Sequence, residues 1–101
     1  MPYFISLMKF TEKGLREIKN TGDRIKISRD RVESVGGRSI QLFATLGSYD
    51  LVQIFEMPDD SSMMQYVMTA RRDGYVDPLI LPAFDESEWS SILEKIPETN
   101  T

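Results

Sequence analysis

The sequence predicts an α+β domain that has a four-stranded antiparallel sheet with helices on one face. Apolar residues alternate at strand spacing in three segments, of which the second holds two strands: Tyr3–Phe10, Ser39–Met57 and Tyr75–Ala83. Helical spacing fills the intervening segments and a segment near the C-terminus. The order β-α-β-β-α-β, followed by a helix, is that of the ferredoxin-like split βαβ arrangement. A chain of 101 residues accommodates one domain, which we place at residues 1–97, with a frayed tail at residues 98–101.

Composition and charge argue against several classes of function. Hydrophobic residues make up 41% of the chain and charged residues 28%, as in an ordinary globular domain. The net charge of −4 disfavours binding to nucleic acid. Because there is no cysteine and no histidine, we predict no metal site and no cofactor. No apolar run approaches the ~18 residues of a membrane span, and the N-terminus does not resemble a signal peptide, so we expect a cytoplasmic protein without membrane contact.

The first helical segment follows a strand that is apolar on both faces. Thr11 is a suitable N-cap for a helix predicted over residues 12–35, with a weak point at residues 20–22. Gly36–Gly37 ends this helix. Its basic residues alternate with acidic ones, which is more typical of a solvated helix face than of a phosphate site.

The middle segment is predicted to form a β-hairpin around the turn Gly47–Asp50. Before the turn, apolar side chains recur at every second position: Ile40, Leu42, Ala44 and Leu46. Glycine suits a positive φ in such a turn, and the aspartate can accept hydrogen bonds from turn amides.

A second helix is predicted from the N-cap Asp59 to Gly74. Six residues are assigned to its buried side: Met63, Met64, Tyr66, Val67, Met68 and Ala70. Methionines fill core gaps more often than they form a binding surface. Pro78 and Pro82 cannot donate ladder hydrogen bonds, so the fourth strand lies at a sheet edge or is irregular.

The third helix has the clearest local signal. Asp85 and Glu88 form a predicted capping box, with Phe84 and Trp89 at the positions of a hydrophobic staple. We interpret these carboxylates, and those of Asp59–Asp60, as helix caps rather than as ligands for a hard cation.

Three of the predicted strands are apolar on both faces, whereas the helices can cover only one face. The simplest cover for the second face is another copy of the same sheet. We therefore predict a two-fold homodimer formed through the open sheet face.

The sequence resembles the GYD domain family over nearly its whole length. Six segments carry the resemblance: Phe10–Gly14, Gly36–Gly37, Thr45–Asp50, Leu51–Val52, Glu56–Asp60 and Ala83–Asp85. The resemblance implies a ferredoxin-like fold and a dimeric α/β barrel, but no particular activity, because the family is largely uncharacterised. Looser resemblances are to the small-molecule-binding domains of leucine-responsive-type regulators, whose helix-turn-helix is missing here, and to cofactor-free enzymes with dimeric α/β barrels.

Gly47, Tyr49 and Asp50 are the candidate site residues. Asp50 could act as a base and Tyr49 as a hydrogen-bond donor if a pocket raised the pKa of the aspartate. Turn chemistry accounts for the same residue types more simply. We predict a homodimeric module that binds a small-molecule ligand or another protein. The alternative is a cofactor-independent enzyme, monooxygenase-like or isomerase-like, that uses Tyr49 and Asp50 on a small organic substrate.

Overall fold

The structure of the protein, a computed structural model, describes residues 1–99. Strands and helices follow the predicted order: β1 (Tyr3–Phe10), α1 (Glu12–Arg16), α2 (Thr21–Ser34), β2 (Arg38–Ala44), β3 (Leu51–Glu56), α3 (Asp60–Asp73), β4 (Val76–Ala83) and α4 (Glu86–Lys95). Of the tail predicted at residues 98–101, the last two residues lie outside the described residues. Within residues 1–99, no helix combines the length and the apolar character needed to cross a membrane.

The four strands form one antiparallel sheet in the order β2-β3-β1-β4, which confirms the predicted fold. β4 is an edge strand, so the first of the two alternatives for its prolines is the right one. Its pairing with β1 runs without a register shift, with Met8 opposite Pro78 and Phe4 opposite Pro82.

The hairpin is confirmed, but β2 is shorter and less regular than the alternation predicts. β2 ends at Ala44, and Leu46 is fully exposed in the connecting loop. A register shift between Ser39 and Gln41 leaves Ile40 as an extra residue without a partner on β3. The predicted placement of Ile40 and Leu46 on one strand face is therefore wrong, because the bulge and the loop interrupt the period of two.

The single helix predicted over residues 12–35 is wrong, since two helices occupy this segment. α1 ends at Arg16, and a 3₁₀ turn over Ile18–Asn20 precedes α2. The backbone of Glu17 leaves the helical region, with φ −110° and ψ 29°. The interruption lies at and just before the predicted weak point, where Asn20 and Gly22 have low helix propensity.

The start of α1 packs against Gly74 and Tyr75, the two residues that join α3 to β4. Thr11 caps α1 by accepting a hydrogen bond from the Gly14 N–H (3.1 Å), and its hydroxyl donates to the Gly74 carbonyl (2.5 Å). The Thr11 N–H donates to the Tyr75 carbonyl (3.1 Å). A Cβ at Gly14 would lie 2.1 Å from the Tyr75 oxygen, so only glycine permits this approach.

The core lies between the sheet and the pair α2 and α3. It consists of seven residues: Phe4, Val32, Phe55, Met57, Met63, Tyr66 and Val67. The rings of Phe55 and Tyr66 meet edge to face, with centroids 5.3 Å apart. Met64 and Met68 were predicted on the buried side of α3, but both are exposed because they lie beside the stripe that Met63 and Val67 form.

The predicted helix caps are present in the structure. Asp59 accepts a hydrogen bond from the Ser62 N–H (2.8 Å), and this contact holds the pKa of Asp59 below its usual value. Asp85 and Glu88 form the reciprocal capping box at the start of α4. α4 lies wholly within the described residues and contains no buried residue. Its cap therefore fixes where the helix begins, while Trp89 and Leu93 are each about half exposed.

We expect Gly14→Ala to lower the free energy of unfolding by about 1–3 kcal/mol, because the added methyl group meets the Tyr75 carbonyl and α1 must shift. Gly22→Ala is the matched control, since no atom lies within 4 Å of its added Cβ. Alanine favours the helix there, so stability should rise by about 0.5–1 kcal/mol. Urea unfolding followed by circular dichroism measures both changes. A Gly14→Ala variant as stable as the parent would contradict the close packing of α1 on Tyr75.

Candidate functional site

The turn Gly47–Asp50 joins β2 to β3. Gly47 has a φ of +122°, which confirms the predicted positive φ. No atom lies within 4 Å of the position of an added Cβ, so the need for glycine is conformational rather than steric. Thr45 closes the turn: its N–H donates to the Asp50 carbonyl (2.9 Å), and its hydroxyl donates to the Tyr49 carbonyl (2.6 Å).

Asp50 ties this turn to the central strand. Its Oδ2 accepts a hydrogen bond from the Phe10 N–H (2.8 Å), and its own N–H donates to the Met8 carbonyl (2.8 Å). The expectation that the carboxylate accepts turn amides is therefore wrong. Because β3 pairs with β1, the amide within reach lies at the end of β1, 40 residues away in the sequence.

Tyr49 is half-buried and lies beside Lys9, whose ammonium nitrogen is 5.7 Å from the centre of the tyrosine ring. The structure therefore brings Gly47, Tyr49 and Asp50 together in one turn. None of the three lines the cavity between the sheet and the helices.

That cavity has a volume of about 90 Å³. Most of its walls are apolar, with Met8, Ile25 and Leu51 among the lining residues. Among its polar lining residues, Ser6 and Gln53 are the two that come from the sheet, and they lie opposite each other on β1 and β3. Only 2% of Ser6 and 1% of Gln53 are exposed, so both are part of the protein interior.

Two polar contacts join α2 to α3 beside the cavity. The hydroxyls of Ser28 and Tyr66 share a hydrogen bond, and Arg31 forms an ion pair with Asp73. Burial raises the pKa of Tyr66, an effect that the Ser28 hydrogen bond and the charge of Arg31 partly offset. These side chains therefore have partners and are not available to another molecule in this arrangement.

Arg24 differs from Arg31 because its ion pair is loose. The distance from its Nη2 to Glu17 is 3.9 Å, and its Nε is buried without a hydrogen-bond partner among the described residues. The guanidinium lies over the ring of Tyr75, with its carbon 2.9 Å from the ring centre. Lys13 approaches the same ring, its nitrogen 4.2 Å from the centre.

Within residues 1–99, no group of three or more acidic side chains is placed to hold a metal ion.

The opposite face of the sheet is apolar and is not covered by helices. The strand register places seven apolar side chains on this open face: Ile5, Leu7, Phe43, Val52, Ile54, Leu79 and Leu81. Phe43 is 51% exposed. Single exposed apolar side chains are normal, but a contiguous patch of this kind marks an interaction surface.

Charged pairs lie at the two ends of the open face. Lys9 is opposite Asp77 at one end, and Arg38 is opposite Glu56 at the other. The hydrogen bond to Glu56 and the attraction of its charge raise the pKa of Arg38. Each end of the face therefore carries one cation and one anion.

A family model described as the GYD domain matches residues 4–93, from the first core residue of β1 to the last turn of α4. The chain belongs to the GYD domain family. The match includes all four strands of this GYD domain, the cavity and the open face.

This GYD domain is similar to a protein of Thermus thermophilus that is named glutamine synthetase and cystathionine beta-lyase binding protein. The two sequences are 29% identical over 84 residues, which cover 82% of this chain and 88% of the relative. The name of that relative describes a protein that binds two enzymes.

The cavity residues Ser6, Gln53 and Arg24 were not among the sequence candidates. Ser6 and Gln53 could have been found, since each is the polar member of an apolar strand face, between Phe4 and Met8 in one case and between Leu51 and Phe55 in the other. Arg24 gives no such signal, because the charged residues around it are typical of a solvated helix.

We expect Asp50→Ala to lower the free energy of unfolding by about 1–2 kcal/mol, because the Phe10 N–H loses its acceptor. Asp50→Asn should cost less than half as much, since the amide oxygen can accept the same bond. Asp30→Ala, at an exposed carboxylate of α2, is the control and should change stability by less than ~0.5 kcal/mol. Chemical unfolding gives the three values. If Asp50→Ala and Asp30→Ala changed the free energy of unfolding equally, the hydrogen bond from Phe10 to Asp50 would contribute nothing to stability.

Proposed function

We propose that this GYD domain is a homodimeric interaction module that binds another protein, with an enzyme as the first candidate partner. The observation that carries the proposal is the open face of the sheet, which presents seven apolar side chains with no helix over them. Leaving such a surface in water costs free energy, which association with a second surface recovers.

The size of the open face suits a second copy. Eight residues of β1 span about 26 Å, and four strands span about 19 Å, so the face has a projected area of roughly 500 Å². A specific interface buries about 800 Å² of accessible surface on each partner. The sheet supplies most of this area, and α4 can supply the remainder.

Charge also favours a second copy as the occupant. The chain carries a net charge of −4, which opposes association of its surfaces in general. The open face itself carries no net charge. The charges of Lys9 and Asp77 cancel at one end, and those of Arg38 and Glu56 cancel at the other. A neutral face of this kind can meet its own copy about a two-fold axis without like-charge repulsion.

α4 carries the second exposed apolar surface, formed by Phe84, Trp89, Leu93 and Ile96, each about half exposed or more. Trp89, Leu93 and Ile96 recur at helical spacing, so they lie on one side of the chain. Since this side has no cover within the protomer, we infer that α4 packs on the partner copy or on the bound protein.

The candidate protein partner comes from the relative, whose name gives glutamine synthetase and cystathionine beta-lyase as its binding partners. The alignment with the relative covers 82% of this chain. We do not propose catalysis by Tyr49 and Asp50, because the Asp50 carboxylate is bonded to the Phe10 amide and neither residue lines the cavity.

The dimer is tested by Leu79→Lys, which places a charge on the open face, in the edge strand β4. Sedimentation at micromolar concentration should give twice the chain mass of 11.6 kDa for the parent and the single chain mass for this variant. Met68→Lys is the matched control, since Met68 on α3 is 46% exposed and Leu79 is 47% exposed. The control should remain a dimer. A parent that sediments as a single chain, without aggregation, would overturn the homodimer.

Binding to an enzyme is tested with purified glutamine synthetase and cystathionine beta-lyase from the organism that encodes this chain. Biolayer interferometry should show saturable binding of at least one enzyme with a Kd of roughly 10 µM or tighter. Serum albumin is the control and should not bind. If neither enzyme saturates the immobilised domain, the enzyme-binding part of the proposal fails, whatever the oligomeric state is.

A further inference from the structure

The cavity between the sheet and the helices contains polar groups whose hydrogen-bonding capacity is not used within the fold. Arg24 Nε is buried and has no partner among residues 1–99. The amide nitrogen of Gln53 donates to Ser39 Oγ (3.1 Å), which leaves the Gln53 carbonyl oxygen available as an acceptor. Ser6 adds a hydroxyl beside Gln53. A buried polar group without a partner costs free energy, so Arg24 Nε points to an occupant.

The unpaired N–H of Arg24 favours an anion as that occupant. The charged residues that line the cavity are two cations, Arg24 and Arg31, and two carboxylates, Glu17 and Asp73. Arg31 is already paired with Asp73. Arg24 keeps a free N–H, and the Tyr75 ring beneath its guanidinium holds it in place. A guanidinium fixed in this way is suited to a carboxylate.

The volume limits the size of the ligand. A cavity of about 90 Å³ is smaller than the ~150 Å³ that admits benzene. The remaining wall, which includes Met8, Ile25 and Leu51, is apolar and suits a short hydrocarbon part. Water molecules alone would leave this apolar wall hydrated, whereas a hydrocarbon part of a ligand would bury it.

We propose that the cavity is a binding site for a short-chain carboxylate of about four to six non-hydrogen atoms. The carboxylate accepts a hydrogen bond from Arg24 Nε, and the short apolar chain lies against Met8 and Leu51. Gln53 and Ser6 are placed to bond a polar substituent, such as a 2-oxo or 2-hydroxy group. The site lies on the helix side of the sheet, so it does not depend on the dimer formed through the open face.

The test is a titration of the ¹⁵N-labelled full chain with propionate and pyruvate, followed by two-dimensional NMR. The backbone amide resonances of Ser6 and Gln53 should shift saturably, with a Kd below about 5 mM for at least one acid. Propionamide has the shape of propionate without the charge, and its affinity should be at least tenfold lower. No saturable shift at these amides up to about 50 mM of either acid would overturn the site. Equal binding of propionate and propionamide would overturn the assignment of a carboxylate.

Arg24→Gln should weaken binding of the acid at least tenfold, because it removes the cationic donor. Arg29→Gln, on the exposed part of the same helix, is the matched control and should leave the affinity unchanged. Arg24→Lys keeps the charge but removes the Nε–H, and it should weaken binding at least threefold. It also serves as the second variant if Arg24→Gln does not fold. An unchanged affinity in either folded Arg24 variant would contradict the assigned role, and a crystal structure with only water in the cavity after soaking in either acid would do the same.

Discussion

Strand β1, one of the two central strands, pairs on both edges and carries apolar side chains on both faces. Phe4 and Met8 point to the helices, whereas Ile5 and Leu7 belong to the open face. The chain supplies one layer of helices, which covers the first of these faces. The exposed apolar face of the sheet follows from this imbalance.

The cavity lies beside two buried polar residues that face each other on neighbouring strands. Ser6 and Gln53 are paired across β1 and β3, in a layer where their strand neighbours are large and apolar. A serine side chain fills little of the space between sheet and helices, and the polar contacts between α2 and α3 span it instead, through Ser28 to Tyr66 and Arg31 to Asp73. Polar contacts therefore join α2 to α3 beside the cavity. In a wholly apolar core, close-packed side chains would fill this space.

The sequence predicted those features that depend on local periodicity or on the chemistry of one residue. The order of strands along the chain and the helix caps belong to this class, whereas the prolines of β4 left an edge strand and an irregular strand as alternatives. The break before α2 and the exposure of Met64 and Met68 depend on how the helices pack on the sheet. The periodicity of the sequence carries no information about that packing. Asp50 was recognised as a turn residue, but its acceptor role depends on a strand 40 residues away.

The two proposed surfaces use alternate residues of the same strands. Ser6 lines the cavity, while its neighbours Ile5 and Leu7 lie on the open face, and Gln53 is placed in the same way between Val52 and Ile54. Because successive side chains of a strand point to opposite faces, a substitution on one surface leaves the side chains of the other in place. Ligand binding and dimerisation can therefore be tested separately, and any coupling between them must pass through the sheet that separates the two surfaces.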